Sequence, residues 1–222
     1  TNNTQALGNH HSVFERAYQS AYKPFLRVLY KYPDISAVLY YSGTLLEWLE
    51  THHSEFLDVL VEMSKRKQIE LLGGAFYEPV LSLIPRQDRL GQIERLTTLI
   101  RKRFGRRPRG GWIPEQVWEP SLASSLKSSG LEYIFLDGYH FEKAGFSGTN
   151  EYKACITEDQ GRIIKVLPIF SKLRTEMVNN KPEAIIASLS RLAAKEDGLV
   201  ASLVYEGERF GYLGDSNKTC YD

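Results

Sequence analysis

Gly110-Gly-Trp-Ile-Pro-Glu-Gln-Val-Trp-Glu-Pro120 is the stretch from which the fold is read. A strand is expected to enter it through Gly110, Gly111 and Trp112, and a helix to leave it from Pro120 through Leu122, Leu126 and Leu131. Between them one carboxylate, Glu115, stands in a proline-framed turn flanked by the indoles of Trp112 and Trp118. An acid at the C-terminal end of a strand is where open α/β sheets and α/β barrels place their chemistry. The competing reading is a buried turn with one stray acid, and this stretch alone does not choose between the two.

Outward from this turn, short apolar runs alternate with helical spacing. Residues 37–41 and 69–72 are runs rich in Val, Ile, Leu and Tyr, ending at Ser42-Gly43 and Gly73-Gly74, and read as strands buried on both faces. Further strands are expected at residues 133–136, 163–167 and 199–205. Leu45, Leu46, Trp48 and Leu49, then Phe56, Leu57, Leu60 and Met63, recur at helical spacing. So do Leu90, Ile93, Leu96, Leu99 and Ile100, with Gly105 at the C′ position. A helix over residues 182–195 opens on a proline. Phe14, Ala17, Tyr18, Ala21, Phe25 and Leu29 read as one long helix kinked at Pro24. Residues 145–159, rich in Gly, Thr, Asn and acids, read as a long loop. Strands separated by helices imply parallel pairing with right-handed crossovers, hence a single α/β domain over residues 1–222, a barrel by preference.

Composition narrows the function. Lys plus Arg (28) nearly cancels Asp plus Glu (27), which gives no reason to expect nucleic acid or an anionic membrane as partner. The basic run of Arg101, Lys102, Arg103, Arg106, Arg107 and Arg109 falls where a long helix ends and complements its dipole; a polyanion site is the alternative. Cys155 and Cys220 form neither a disulfide framework nor a metal spacing. No apolar stretch is long enough to span a bilayer and the first residues are no signal peptide, so the expectation is a soluble, cytoplasmic protein; the abrupt polar start leaves room for an upstream segment.

The acids fall in a pattern. Glu78 follows the strand at 69–72, Glu115 the strand into Trp112, Asp137 the strand at 133–136 and Glu206 the strand at 199–205. If those strands are parallel, four carboxylates share one rim. Phe76, Tyr77, Trp112, Trp118, Tyr139, Phe141, Tyr205 and Phe210 crowd them. Glycoside chemistry needs one carboxylate as nucleophile or base and another as acid, with aromatic faces for the sugar rings. Taken singly, each acid is more simply a helix cap or a surface charge. With His140 the same acids could ligate a cation, as in a metal-dependent deacetylase, but among His140 and these acids no HxxE, HxH or DxD spacing occurs. His10-His11 and His52-His53 read as solvated pairs. No Gly-x-Ser-x-Gly elbow and no phosphate-binding Gly loop is present.

At these residues the chain resembles glycoside hydrolase family 57, the α-glucan-active group of 4-α-glucanotransferases, α-amylases and amylopullulanases. The resemblance runs nearly end to end. It is carried by Gln68-Ile-Glu-Leu-Leu-Gly-Gly-Ala-Phe-Tyr-Glu-Pro-Val-Leu81, by residues 112–120, by Leu136-Asp-Gly-Tyr-His-Phe141 and by Glu206-Gly-Glu-Arg-Phe-Gly211. Thr4-Gln-Ala-Leu-Gly-Asn9 resembles the end of the family's His-rich first motif. It implies a (β/α)7-barrel catalytic domain and retaining double displacement without cofactor or metal, acting on α-glucan or maltooligosaccharide. Glu115 falls at the family's nucleophile and Glu206 at its acid/base. Glu78, Trp112, Trp118, Asp137, Tyr139, His140 and Phe210 are then expected to bind substrate. The resemblance also implies that the family's first strand would precede Thr1 and its helical region would follow the barrel. The departures are specific: Asn2 and Thr4 stand for two histidines, Ala6 for a proline, Gln116 for an arginine, Glu206 for an aspartate and Tyr205 for an acid. They imply, as the alternative, an impaired member that binds glucan or a glycogen-metabolism partner without turnover.

Overall fold

Pro24 sets the form of the first helix. Without an N–H, proline cannot donate to the carbonyl one turn back, and the chain answers with a widened turn. In the computed structural model, which describes residues 11–170 and 182–211, α1 (His11–Ala17) runs into a π-helical turn (Tyr18–Tyr22) and then into α2 (Lys23–Lys31). The Lys23 N–H reaches back to the Tyr18 carbonyl. The expected kink is therefore a π-bulge, one of the few ways a helix absorbs such a break. Gln68 closes the far end: its buried side-chain amide donates to the carbonyls of Leu29 (2.8 Å) and Tyr32 (2.9 Å).

The chain folds into two compact units. The first takes residues 1–79, 87–108 and 206–222; the second takes 80–86 and 109–205. In the first unit β1 (Ala37–Leu39) pairs in parallel with β2 (Ile69–Leu71), Ala37 opposite Ile69. Between them lie α3 (Gly43–His52) and α4 (Ser54–Lys65), and α5 (Arg86–Phe104) follows β2. Ser42 caps α3 through Leu45 N–H at 3.3 Å. Leu45, Leu46, Leu49, Leu57, Leu60, Phe76 and Leu96 are buried in one core with Ala17, Tyr18 and Ala21 of the first helix. Each such Leu or Phe contributes roughly 1.5–3 kcal/mol by leaving water. Gly105 ends α5 with φ +75°, as its C′ position requires. Of the basic run, Arg103 pairs with Asp58 and Arg107 with Glu94 in this unit.

The second unit is built on a four-stranded sheet in the order β3, β4, β6, β5. β3 (Gly110–Gly111), β4 (Tyr133–Asp137) and β6 (Arg162–Ile169) are mutually parallel, and α6 (Leu122–Ser128) connects β3 to β4. Gly111 packs closely here: a Cβ would stand 2.8 Å from Leu131 Cδ1 and would require that side chain to shift. β5 (Cys155–Asp159) corrects the expectation of a loop over 145–159: it pairs antiparallel with β6, Cys155 opposite Val166. Gln160 (φ +51°) and Gly161 (φ +73°) make the turn. Two central residues with positive φ match the twist of a two-residue hairpin. α7 (Gly138–Lys143) follows β4 directly and α8 is Pro182–Ala193. The strand expected at 199–205 is reduced to a parallel bridge of Ser202 with Ile169, supported by Phe170 N–H to Ser202 O at 2.9 Å.

Candidate active site

The turn after β3 is the most constrained part of the second unit. Ile113 is buried and extended, as the residue before Pro114 should be. Pro114 then opens a 3₁₀ turn (Pro114–Gln116) in which Glu115 (φ +53°, ψ +10°) and Gln116 (φ +54°) both take left-handed backbone. Side chains other than glycine avoid this region, and each such residue costs of order 1–3 kcal/mol unless its surroundings hold it. Gln116 supplies the hold. Its Oε1 accepts the Asp137 N–H at 2.9 Å, and its Nε2 donates to the Ile113 carbonyl at 3.2 Å. Its own carbonyl lies 2.7 Å from His140 Nε2. Asp137, the last residue of β4, caps α7 by accepting the Tyr139 N–H at 2.9 Å. The result presents an exposed Glu115 carboxylate beside the ends of two neighbouring parallel strands, with Trp112 and Trp118 half-buried. Tyr139 is 57% exposed and its ring meets His140 edge-on.

In the first unit Glu78 rides on a second strained turn. Phe76 is completely buried; its carbonyl accepts the Gly43 N–H at 3.0 Å, and a Cβ on residue 43 would strike its ring. Arg95 covers the same ring, its guanidinium carbon 4.2 Å from the centroid. With Phe76 pinned, Tyr77 donates its N–H to Gln92 Oε1 at 2.9 Å, and Glu78 takes φ +54° immediately before Pro79. The Tyr40 hydroxyl hydrogen-bonds to the Glu78 carboxylate and lies 3.3 Å from the Ala75 carbonyl. Burial, then the Glu78 charge, push the Tyr40 phenol well above its usual range, so it stays a donor.

Glu206 stands at the start of a 3₁₀ turn (Gly207–Phe210), exposed and paired with Arg209 at 2.9 Å. Two residues on, Glu208 is buried and accepts the Tyr22 hydroxyl at 2.5 Å. Tyr41 is held neutral by burial first and by the Glu208 charge second. Gly207 lies against the Tyr22 ring, and Gly211 approaches the Ser20 carbonyl so closely that no Cβ would fit. These contacts fix the segment to the π-turn of the first helix.

Sequence reasoning named Glu115, Asp137, Tyr139 and His140, and the second unit brings these into one turn and strand end. Glu78 and Glu206 are placed in the first unit. Asn2, Thr4, Ala6 and the Phe210 side chain lie outside the described residues. The reading missed Tyr40, Glu208 and the structural part of Gln116. Tyr40 directly precedes the buried Tyr41, and Glu208 sits two residues after Glu206, so both were adjacent to signals already in view. The solvated-pair reading needs correction at His53, while His11 and His52 are exposed and His10 lies outside the described residues. His53 is largely buried, lies 2.7 Å from Glu15 Oε2 and stacks on Tyr18 at 3.7 Å; His52 stacks on Trp48. Glu15 is held below the usual carboxylate range by Gln19 first and His53 second. Among the described residues no group of three or more His, Cys, Asp and Glu is arranged to hold a metal ion, and no helix is long and apolar enough to cross a membrane.

Residues 4–221 match Glycosyl hydrolase family 57. The chain is 41% identical to a 4-alpha-glucanotransferase of Thermococcus litoralis over 99% of its own length and 33% of the relative's. It is 38% identical to Alpha-amylase 1 of Dictyoglomus thermophilum, over 99% and 32%. It thus spans about a third of the length of the curated relatives it matches. The crystal structure of the Thermococcus litoralis 4-alpha-glucanotransferase superposes with a TM-score of 0.89 at 41% identity, covering 94% of this chain and 32% of that one. The fold class is accordingly mixed α/β of the (β/α)7-barrel type, with parallel strands and intervening helices. The chain belongs to glycosyl hydrolase family 57.

Proposed function

We propose that this protein cleaves or transfers α-1,4-linked glucan by retaining double displacement, as a 4-α-glucanotransferase or α-amylase, and that residues 1–222 belong to one catalytic domain. The observation that carries the proposal is the left-handed Glu115–Gln116 turn, which carries an exposed glutamate and is tied through the Gln116 side chain to the end of β4. In this reading the Glu115 carboxylate attacks the anomeric carbon while Glu206 gives its proton to the departing glycosidic oxygen. The Glu206 carboxylate then takes a proton from water or from a sugar hydroxyl, and that oxygen displaces Glu115 from the same carbon. Retaining enzymes set the two carboxyls about 5–5.5 Å apart. Glu206 is one methylene longer than the family's aspartate. Tyr139, Trp112, Trp118 and Phe210 are the stacking faces, and Glu78, Asp137 and His140 the hydroxyl partners. Its relatives' names and its cysteine-poor composition support a maltooligosaccharide or longer glucan as substrate, met in the cytoplasm.

The test is incubation of the whole gene product with maltoheptaose, with products followed by chromatography beside Glu115→Gln. A ladder of longer and shorter oligomers that vanishes in the variant is the expected result for transfer, and shorter products alone for hydrolysis. Maltoheptaose that binds but is returned unchanged would replace the enzyme with a glucan-binding member of the family. Products that persist in Glu115→Gln would remove Glu115 as nucleophile.

A further inference from the structure

The departure from arginine at position 116 is a fit, not only a loss. A carbonyl oxygen accepts and never donates, so the 2.7 Å contact to the Gln116 carbonyl requires the proton on His140 Nε2. In the neutral ring Nδ1 then carries the lone pair. The side chain makes two further bonds of opposite sense, Oε1 accepting from Asp137 N–H and Nε2 donating to Ile113 O. Only an amide of this length offers both. Arginine has five donors and no acceptor, and glutamate accepts without donating. One residue thereby ties the left-handed turn to the last residue of β4 and, through its backbone, to the ring on α7.

We infer that Gln116 is a positioning residue: it fixes Asp137 and His140 relative to the Glu115 turn and holds His140 in its Nε2–H tautomer, so that Nδ1 is the ring's acceptor for a sugar hydroxyl. This rests on the reading of the turn as a glucan site, but the tautomer can be measured whether or not glucan is turned over. The whole protein, labelled with ¹⁵N-histidine, gives long-range ¹H–¹⁵N correlations that distinguish the two neutral tautomers, and His140→Gln identifies the signal.

The wild-type ring is expected as Nε2–H. Gln116→Arg is expected to lose the single tautomer and to lower kcat on maltoheptaose by ten- to a hundredfold, with KM moved less than about threefold, since displacements of roughly 1 Å cost that much. Gln116→Glu keeps the acceptor for Asp137 N–H but faces the Ile113 carbonyl with a second acceptor, so it is expected to keep the tautomer and to lower kcat less than Gln116→Arg does. An Nδ1–H ring in the wild type overturns the inference. So does an unchanged tautomer or a raised kcat in Gln116→Arg, or a lost tautomer in a folded Gln116→Glu. If the arginine variant does not fold, the wild-type and glutamate spectra decide alone. A wild type that neither binds nor converts glucan removes the sugar role while the spectra still test the clamp.

Discussion

Glu78, Glu115 and Gln116 all hold positive φ without being glycine, and Glu78 and Gln116 are each bonded to a residue far along the chain. For Glu78 the neighbour is Tyr40, whose phenol is raised well above its usual range by burial first and the Glu78 charge second. Tyr40→Phe removes the hydroxyl and leaves the carboxylate short of that donor. We expect a loss of about 1–3 kcal/mol by denaturant unfolding, with a smaller loss when Glu78 is already Gln. The pH sign follows from the raised folded value. The phenol ionises near pH 10 only in the unfolded chain, so the wild type loses stability as pH rises above about 10 through the higher folded value. Tyr40→Phe should flatten part of that alkaline slope; Tyr18 (pushed up to about 12, mainly by burial) and Tyr41 keep the rest. An identical slope in both proteins would remove the pair. The acids themselves were legible because each follows an apolar run. Tyr40 and Gln116 were not, because an amide clamp or a buried phenol has no sequence period.

At the scale of elements, strands and helices with strong apolar patterning were read from the chain: β1, β2, β4 and β6 fall within two residues of the expected ends. Beside the run at 199–205, which forms only a bridge, two elements were missed for physical reasons. The π-turn before Pro24 keeps the helical stripe intact, so only the missing proline donor hints at it. β5 is an edge strand whose residues alternate half-buried and exposed, with polar Thr, Glu and Asp in a run that composition alone marks as loop. Its turn, Gln160-Gly161, also lacks the Asn-Gly or Asp-Gly that announces a two-residue hairpin. That supplies a prediction. Gln160 holds φ +51°, a conformation asparagine tolerates better than glutamine. Gln160→Asn should stabilise the protein by up to about 1 kcal/mol, the low end of what left-handed backbone costs at a residue other than glycine. A lowered midpoint in urea would mean that the β5–β6 turn is not of this type.

At the scale of the whole chain, the first unit is assembled from three separated segments, the last beginning at Glu206. One tie of that last segment to the first helix is the hydrogen bond of Tyr22 to Glu208, 186 residues apart. No local pattern encodes such a pairing, and Glu208 reads in sequence as one more acid in a charged turn. Burying that carboxylate is favourable only while Tyr22 donates to it. Glu208→Ala removes the acceptor and should cost about 1–3 kcal/mol. Glu208→Gln keeps an acceptor at the same reach and should cost less. The location of the loss is the sharper test. Hydrogen exchange should show protection falling first in the π-turn Tyr18–Tyr22 and in α2, whose fixed end the Glu208 segment secures, while β4 and β6 exchange as in the wild type. A loss spread evenly over the chain would make Glu208 a general packing residue. No loss at Tyr18–Tyr22 would mean that the segment carrying Glu206 is held by something other than this pair, and the placement of the proposed acid/base would need another support.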